Sequence, residues 1–131
     1  MTNTVDVVAA LLWDAGRFLI CQRPAQKARG LLWEFPGGKV EKGETREQAL
    51  KREMKEELDA DIRVKGLFCA LTHVYPDLSV NLFVYEAELT CDRLRMLEHN
   101  AINWIKPAEI EQYTFCPADE GVLNIIKQRS A

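Results

Sequence analysis

Residues Val5–Trp13 read VDVVAALLW and are apolar at nearly every position. A strand turns successive side chains to opposite faces, so such a run is a strand covered on both sides rather than the edge of an open sheet. That single feature demands one layer above and one below a central sheet, and the rest of the chain supplies them. Asp14-Ala15-Gly16 is a turn signal, and a strand over Arg17–Arg23 is expected to form a hairpin with the first. Pro24–Leu31 is a polar loop, and Leu32–Phe35 is a short strand stopped by Pro36-Gly37-Gly38. The clearest helix covers Arg46–Leu58: Thr45 and Gln48 fit a capping box, and Leu50, Met54 and Leu58 fall on one apolar stripe. Strands are expected over Asp61–His73 and Ser79–Leu89, joined by Val74-Tyr75-Pro76-Asp77, and over Ala101–Ile105 after a charged loop at Thr90–Asn100. Pro107–Gln112 opens with Pro in a first helical turn. Pro117–Arg129 reads as a terminal helix with Val122, Ile125 and Ile126 inward. Strands and helices mix without strict alternation, which is an α+β class with a mixed sheet and helices on its faces.

The chain has 131 residues, the size of one domain spanning 1–131. Its 17 Lys and Arg against 20 Asp and Glu give a net charge of −3. A binder of nucleic-acid polymer carries a basic excess, and there is none here. No apolar run is long enough to span a bilayer, and no basic segment followed by an apolar one reads as a secretory signal. Cys21, Cys69, Cys91 and Cys116 show no C-x-x-C spacing, so they are read as free thiols of a cytoplasmic protein, with Cys21 and Cys69 in the core.

The chemistry is concentrated between Gly37 and Glu57. Glu53, Glu56 and Glu57 stand at i, i+3 and i+4 and share about 100° of helix arc beside the apolar stripe. Like charges so placed repel, and Lys51 and Lys55 lie on the other side. One reading is a solvated acidic face. The other is a site for a hard divalent cation, which takes a few carboxylates and leaves positions for water and phosphate oxygens. Gly37-Gly38 allows a ligand close approach to the backbone. Glu44 and Arg52 bracket the first two turns, where Arg52 can pair with Glu44 or orient Glu53.

Gly38, Glu44, Arg52-Glu53, Met54 and Glu56-Glu57, at these offsets, closely resemble the Nudix box. Two final positions depart from it: Asp59 stands where the family has Gly and Ala60 where it has an apolar residue. Asp tolerates the left-handed conformation that ends such a helix, so a slightly strained helix end is expected, with the chemistry kept. The resemblance extends through Gln22-Arg23-Pro24-Ala25, Leu32–Glu41, Glu98-His99 and Pro117-Ala118-Asp119, and looks like the MutT and CTP-pyrophosphohydrolase branch.

The resemblance implies an α/β/α sandwich around a mixed sheet. It implies Mg²⁺ or Mn²⁺ held by Glu53, Glu56, Glu57 and Glu98 with the Gly38 carbonyl, and a catalytic set of Glu53, Glu98, Glu44 and Arg52. The general base is Glu53 or Glu98. Arg23 and Lys39 are implied as phosphate contacts, and Phe35, Leu78 and Asp119 as base contacts. The implied reaction converts a nucleoside triphosphate to the monophosphate and pyrophosphate. An ionised Asp119 only accepts hydrogen bonds and suits an amino group such as cytosine N4, whereas a protonated one also donates and suits an oxidised purine. The type that reads 8-oxoguanine has Asn at this position and Arg at the position of Leu78. Asp119 also reads as an N-cap of the last helix, Glu98 as an exposed loop acid and Arg23 as a surface arginine. Cytidine nucleotides and oxidised dNTPs such as 8-oxo-dGTP are therefore rival substrates. An ADP-ribose or dinucleotide diphosphatase and a non-catalytic nucleotide-binding module are the alternatives. A monomer is expected.

Overall fold

The computed structural model describes residues 3–130; Met1, Thr2 and Ala131 of the expected 1–131 domain lie outside the described residues. The strands are β1 (Thr4–Asp14), β2 (Arg17–Gln22), β3 (Trp33–Glu34), β4 (Gly37–Lys39), β5 (Ile62–Val74), β6 (Ser79–Leu89) and β7 (Ala101–Ile105). Helix α1 (Arg46–Leu58) follows β4, and α2 (Glu120–Ser130) ends the chain. Two short 3₁₀ segments precede α2, Pro107–Gln112 and Pro117–Asp119. The expected terminal helix is therefore a 3₁₀ turn leading into an α-helix, and Leu123 is buried in place of the expected Ile125.

β1 is central, as its composition requires. It runs parallel to β6 from Thr4↔Ser79 to Leu12↔Ala87, and β5 adds antiparallel to β6. The hairpin with β2 is confined to the tip, at Trp13↔Phe18 and Asp14↔Arg17. Below that point β1 exchanges β2 for β4, a strand with no sequence signal beyond its glycines, at Val7↔Lys39, Val8↔Gly38 and Ala9↔Gly37. β2 continues instead against β3 and β7. The sheet is thus mixed, and its alternating side chains feed two cores. Val8, Ala10 and Leu12 pack with Leu50, Met54 and Leu58 of α1 on one face. Ala9 and Leu11 pack with Val122, Leu123 and Ile126 of α2 on the other. The architecture is the expected α/β/α sandwich. Each of the three α1 side chains is fully buried, contributing on the order of 2 kcal/mol. Cys21 and Cys116 are buried, whereas Cys69 is only half-buried on the outer strand β5, contrary to expectation; all four thiols are free.

α1 is bounded as its sequence dictates. The Thr45 side chain accepts from the Gln48 N–H while the Gln48 side chain accepts from the Thr45 N–H. At the other end Asp59 adopts φ 50° and ψ 39°, and its N–H donates to the Lys55 carbonyl. The left-handed cap survives without glycine, as the tolerance of Asp for this region allows.

Candidate active site

β4 positions the site. Its antiparallel pairing presses Gly37 so close to β1 that a Cβ there would lie 2.0 Å from the Val8 carbonyl oxygen. At Gly38 a Cβ would lie 2.4–2.6 Å from the carboxylate of Glu53. The glycine pair therefore lets β4 pass between β1 and α1 while Glu53 occupies the space a side chain would fill.

Arg52 organises the acidic residues around it. Its guanidinium forks onto Glu44, Nε to Oε2 at 2.7 Å and Nη2 to Oε1 at 3.0 Å. Nη1 donates to Glu53 at 2.8 Å and to Glu56 at 3.1 Å, and Nη2 also reaches the Lys39 carbonyl at 3.0 Å. These bonds, to Glu44 and then Glu53, raise the Arg52 pKa further and hold Glu44 below the usual carboxylate range. Arg52 is thus taken up by these carboxylates, with Glu44 gripping it through two bonds, and neither residue lines either of the two cavities described below. Glu56 is about half exposed and turned toward Arg52.

Glu57 differs from its neighbours. It is 4% exposed, and burial, then a hydrogen bond with Glu53 and the charges of Glu53, Glu34 and Glu98, push its pKa up to about 10. Its Oε1 has no hydrogen-bond partner, and His99 Nε2 lies 3.4 Å away. Such an atom is expensive to bury unless something positive meets it. Glu53, Glu57, Glu98, His99, Arg23, Lys39 and Gly38 surround a cavity of about 250 Å³. Among the described residues no three acidic, histidine or cysteine side chains converge as a finished metal cage, because Arg52 draws Glu53 and Glu56 to itself. The donor set is nevertheless one that hard cations take, all carboxylate oxygen with the orphaned Glu57 Oε1 at its buried end.

A second cavity, about 220 Å³, adjoins the first and shares Arg23, Glu34, Gly37, Gly38 and Lys39 with it. Its walls are apolar, from β1, β6 and Phe35, Tyr75, Leu78 and Leu82. Asp119 lines it, 6% exposed; burial first, then the charge of Glu34, push its carboxyl well above the usual range, with Arg23 opposing. Asp119 lies in the 3₁₀ turn before α2. Of the residues singled out in the sequence, Arg23, Lys39, Phe35, Leu78 and Asp119 meet here, while Glu53, Glu57, Glu98 and Gly38 meet next door.

Sequence reasoning missed the residues that join the two cavities. Glu34 accepts from Arg23 Nη1 at 3.0 Å and lies 3.3 Å from His99 Nε2. The ion pair with Glu34 raises the pKa of Arg23 although burial works against its charge. Arg29 and Tyr75 were missed too. The one available signal was the position of Glu34 and His99 within the resembling segments; nothing local marks Arg29.

Fold and site together define the class: an α/β/α sandwich with an acidic pocket and an apolar pocket side by side. A family profile for the NUDIX domain matches residues 7–124. The chain is 37% identical over 115 residues to the CTP pyrophosphohydrolase of Escherichia coli K12, covering 88% of this chain and 85% of that protein. It is 46% identical over 79 residues to the 8-oxo-dGTP diphosphatase of Proteus vulgaris, covering 60% and 70%. The solution structure of a MutT protein of the Nudix hydrolase family from methicillin-resistant Staphylococcus aureus superimposes with TM-score 0.78 at 34% identity, covering 98% of this chain and 99% of that one. The chain belongs to the Nudix family and is a MutT-like hydrolase. Among the described residues no helix is long and apolar enough to cross a membrane.

Proposed function

We propose that this protein is a Mg²⁺-dependent nucleoside triphosphate pyrophosphohydrolase that acts as a cytoplasmic monomer in nucleotide-pool sanitation. The observation that carries this reading is the pair of adjoining cavities: an apolar one lined by a buried carboxyl, suited to a base, and a carboxylate-lined one suited to metal-bound phosphates. Arg23 and Lys39 lie on the shared wall, where phosphates joining the two would pass.

Glu53, Glu56, Glu57 and Glu98 with the Gly38 carbonyl would hold the cation. What Mg²⁺ supplies when bound is neutralisation of phosphate charge and a more acidic water. Water attacks a phosphorus atom, the bridging P–O bond breaks, and pyrophosphate leaves the nucleoside monophosphate. Glu53 and Glu98 are the two candidates for the base that takes the proton from water. One oxygen of Glu53 is occupied by the Arg52 guanidinium at 2.8 Å, and this favours Glu98. Arg52 and Glu44 hold Glu53 in place, and Arg23 and Lys39 bind phosphate.

The base follows from Asp119. A neutral carboxyl both donates and accepts, so it pairs in two bonds with cytosine, accepting from N4–H and donating to N3. Asp119 and Leu78 stand where the 8-oxoguanine type has Asn and Arg, and this makes cytidine nucleotides the favoured substrates. The same neutral carboxyl also meets the donor–acceptor edge of an oxidised guanine, which keeps 8-oxo-dGTP as the second reading. Pyrophosphate release from CTP, dCTP, 5-methyl-dCTP, dGTP and 8-oxo-dGTP, followed beside AMP formation from ADP-ribose, decides between them. The cytosine set is expected to lead, and Asp119→Asn is expected to reorder the bases. An unchanged order in that variant would remove Asp119 from base reading, and turnover of ADP-ribose alone would overturn the triphosphate reading.

A further inference from the structure

Arg29 sits in the loop between β2 and β3, at the wall of the apolar cavity. Its backbone is left-handed, φ 58°, and Leu31 two residues later has φ 65°. Between them Gly30 packs so tightly that a Cβ would lie 2.5 Å from the Ala25 carbonyl oxygen. The loop is wound around Arg23, whose backbone exchanges hydrogen bonds with Leu31 and Leu32 and whose Nε donates to the Ala28 carbonyl. This winding delivers Arg29 to the turn between β5 and β6. There Nη1 and Nη2 meet the two oxygens of Asp77 at 3.3 and 3.4 Å, and the guanidinium lies 4.0 Å from the centre of the Tyr75 ring.

Tyr75 is itself fixed. Its hydroxyl accepts from the Ala118 N–H at 2.9 Å, one residue before Asp119, and the His73 ring packs against it with centroids 4.5 Å apart. A left-handed arginine costs the backbone more than an exposed ion pair with Asp77 returns. Strain of this kind at a cavity wall points to use by a ligand.

Which part of the guanidinium is available follows from its contacts. Asp77 takes the Nη edge and Tyr75 covers one face, so the opposite flat face is what remains for the cavity. We propose that Arg29 is a base-stacking residue: a rigid cationic plane, backed by Tyr75 and clamped by Asp77, against which the nucleobase lies while Asp119 reads its edge. Every base has a π-face, so this contact adds affinity without ranking the bases. The inference rests on the assignment of the apolar cavity to a nucleobase.

The test compares wild type, R29A and R29K, with folding of each checked by thermal melting. KM and kcat are measured for CTP, dCTP and 8-oxo-dGTP, together with the inhibition constant of inorganic tripolyphosphate, which has no base. R29A is expected to raise KM about ten-fold for all three nucleotides, with kcat nearly unchanged. R29K keeps the charge but lacks the plane and is expected to lose most of the same affinity. The tripolyphosphate constant should not move. Retention of wild-type KM by R29K would overturn the proposal in favour of a charge effect. A change confined to one base would overturn it in favour of edge reading, and a parallel rise for tripolyphosphate would show a phosphate contact instead. Wild-type turnover of these nucleotides with R29A unaltered would reject this inference alone; a wild-type protein inert on all of them would withdraw the nucleobase assignment and this inference with it.

Discussion

Asp119 shows how much a single side chain can depend on the enclosure around it. Its carboxyl is buried among apolar walls, with the negative Glu34 nearby and only Arg23 opposing, and its pKa is well above the ordinary value near 3.8. In the unfolded chain it ionises normally, so the folded state binds the extra proton. Stability from this group is full below about pH 3.8 and falls as pH rises from there through the folded pKa. Asp119→Asn cannot ionise. The difference in Tm between that variant and wild type is expected to move in favour of the variant as pH is raised from about 5 to 8. A difference that stays flat across that range would mean an already ionised Asp119 and would restore the amino-only reading of the base. Among the site residues, Glu53, Glu57 and Gly38 were legible because short offsets within one helix and its lead-in loop fix their geometry. Glu34 and His99 were not, since they lie 65 positions apart and meet through the pairing of β2 with both β3 and β7. Phe35 and Leu82 belong to the core cluster and also line the apolar cavity, so a core position and a cavity position look alike in the sequence.

Among the elements, α1 carries both stability and chemistry, and its two ends show different compromises. The N-terminus is satisfied by the Thr45–Gln48 box. The C-terminus spends backbone energy on a left-handed Asp59, which receives weak returns from Lys55 at 3.4 Å and Arg95 at 3.8 Å. Asp59→Gly is expected to raise the denaturant midpoint by the equivalent of about 1 kcal/mol, with turnover unchanged because Asp59 lines neither cavity. A loss of stability in that variant would show that the ion pairs outweigh the strain. Helix and long strands were readable from periodicity, capping and turn residues to within a position or two. β4 was not, because three residues rich in glycine carry no strand pattern; only the partner edge offered by β1 makes Gly37–Lys39 a strand. The same edge is what confined the β1–β2 hairpin to its tip.

For the whole molecule, the doubly covered β1 sets the layers, and the exchange of β2 for β4 along it opens the site. β4 brings the glycine pair against α1, where the carboxylates project, while the far side of the same strand pair faces the apolar pocket between β1, β6 and the turn before α2. Two chemically opposite cavities with a common wall are thereby set side by side, the arrangement the proposed base and phosphate assignment needs. The direct test is ³¹P NMR of CTP incubated with the protein and Mg²⁺, run beside Glu57→Gln and a chelator control. The expected spectrum shows pyrophosphate and CMP in equal amounts, lost on chelation and reduced at least about a hundred-fold in Glu57→Gln while its fold is retained. Orthophosphate with CDP, or near wild-type turnover by Glu57→Gln, would contradict the assignment of these two cavities to base and metal-bound phosphate.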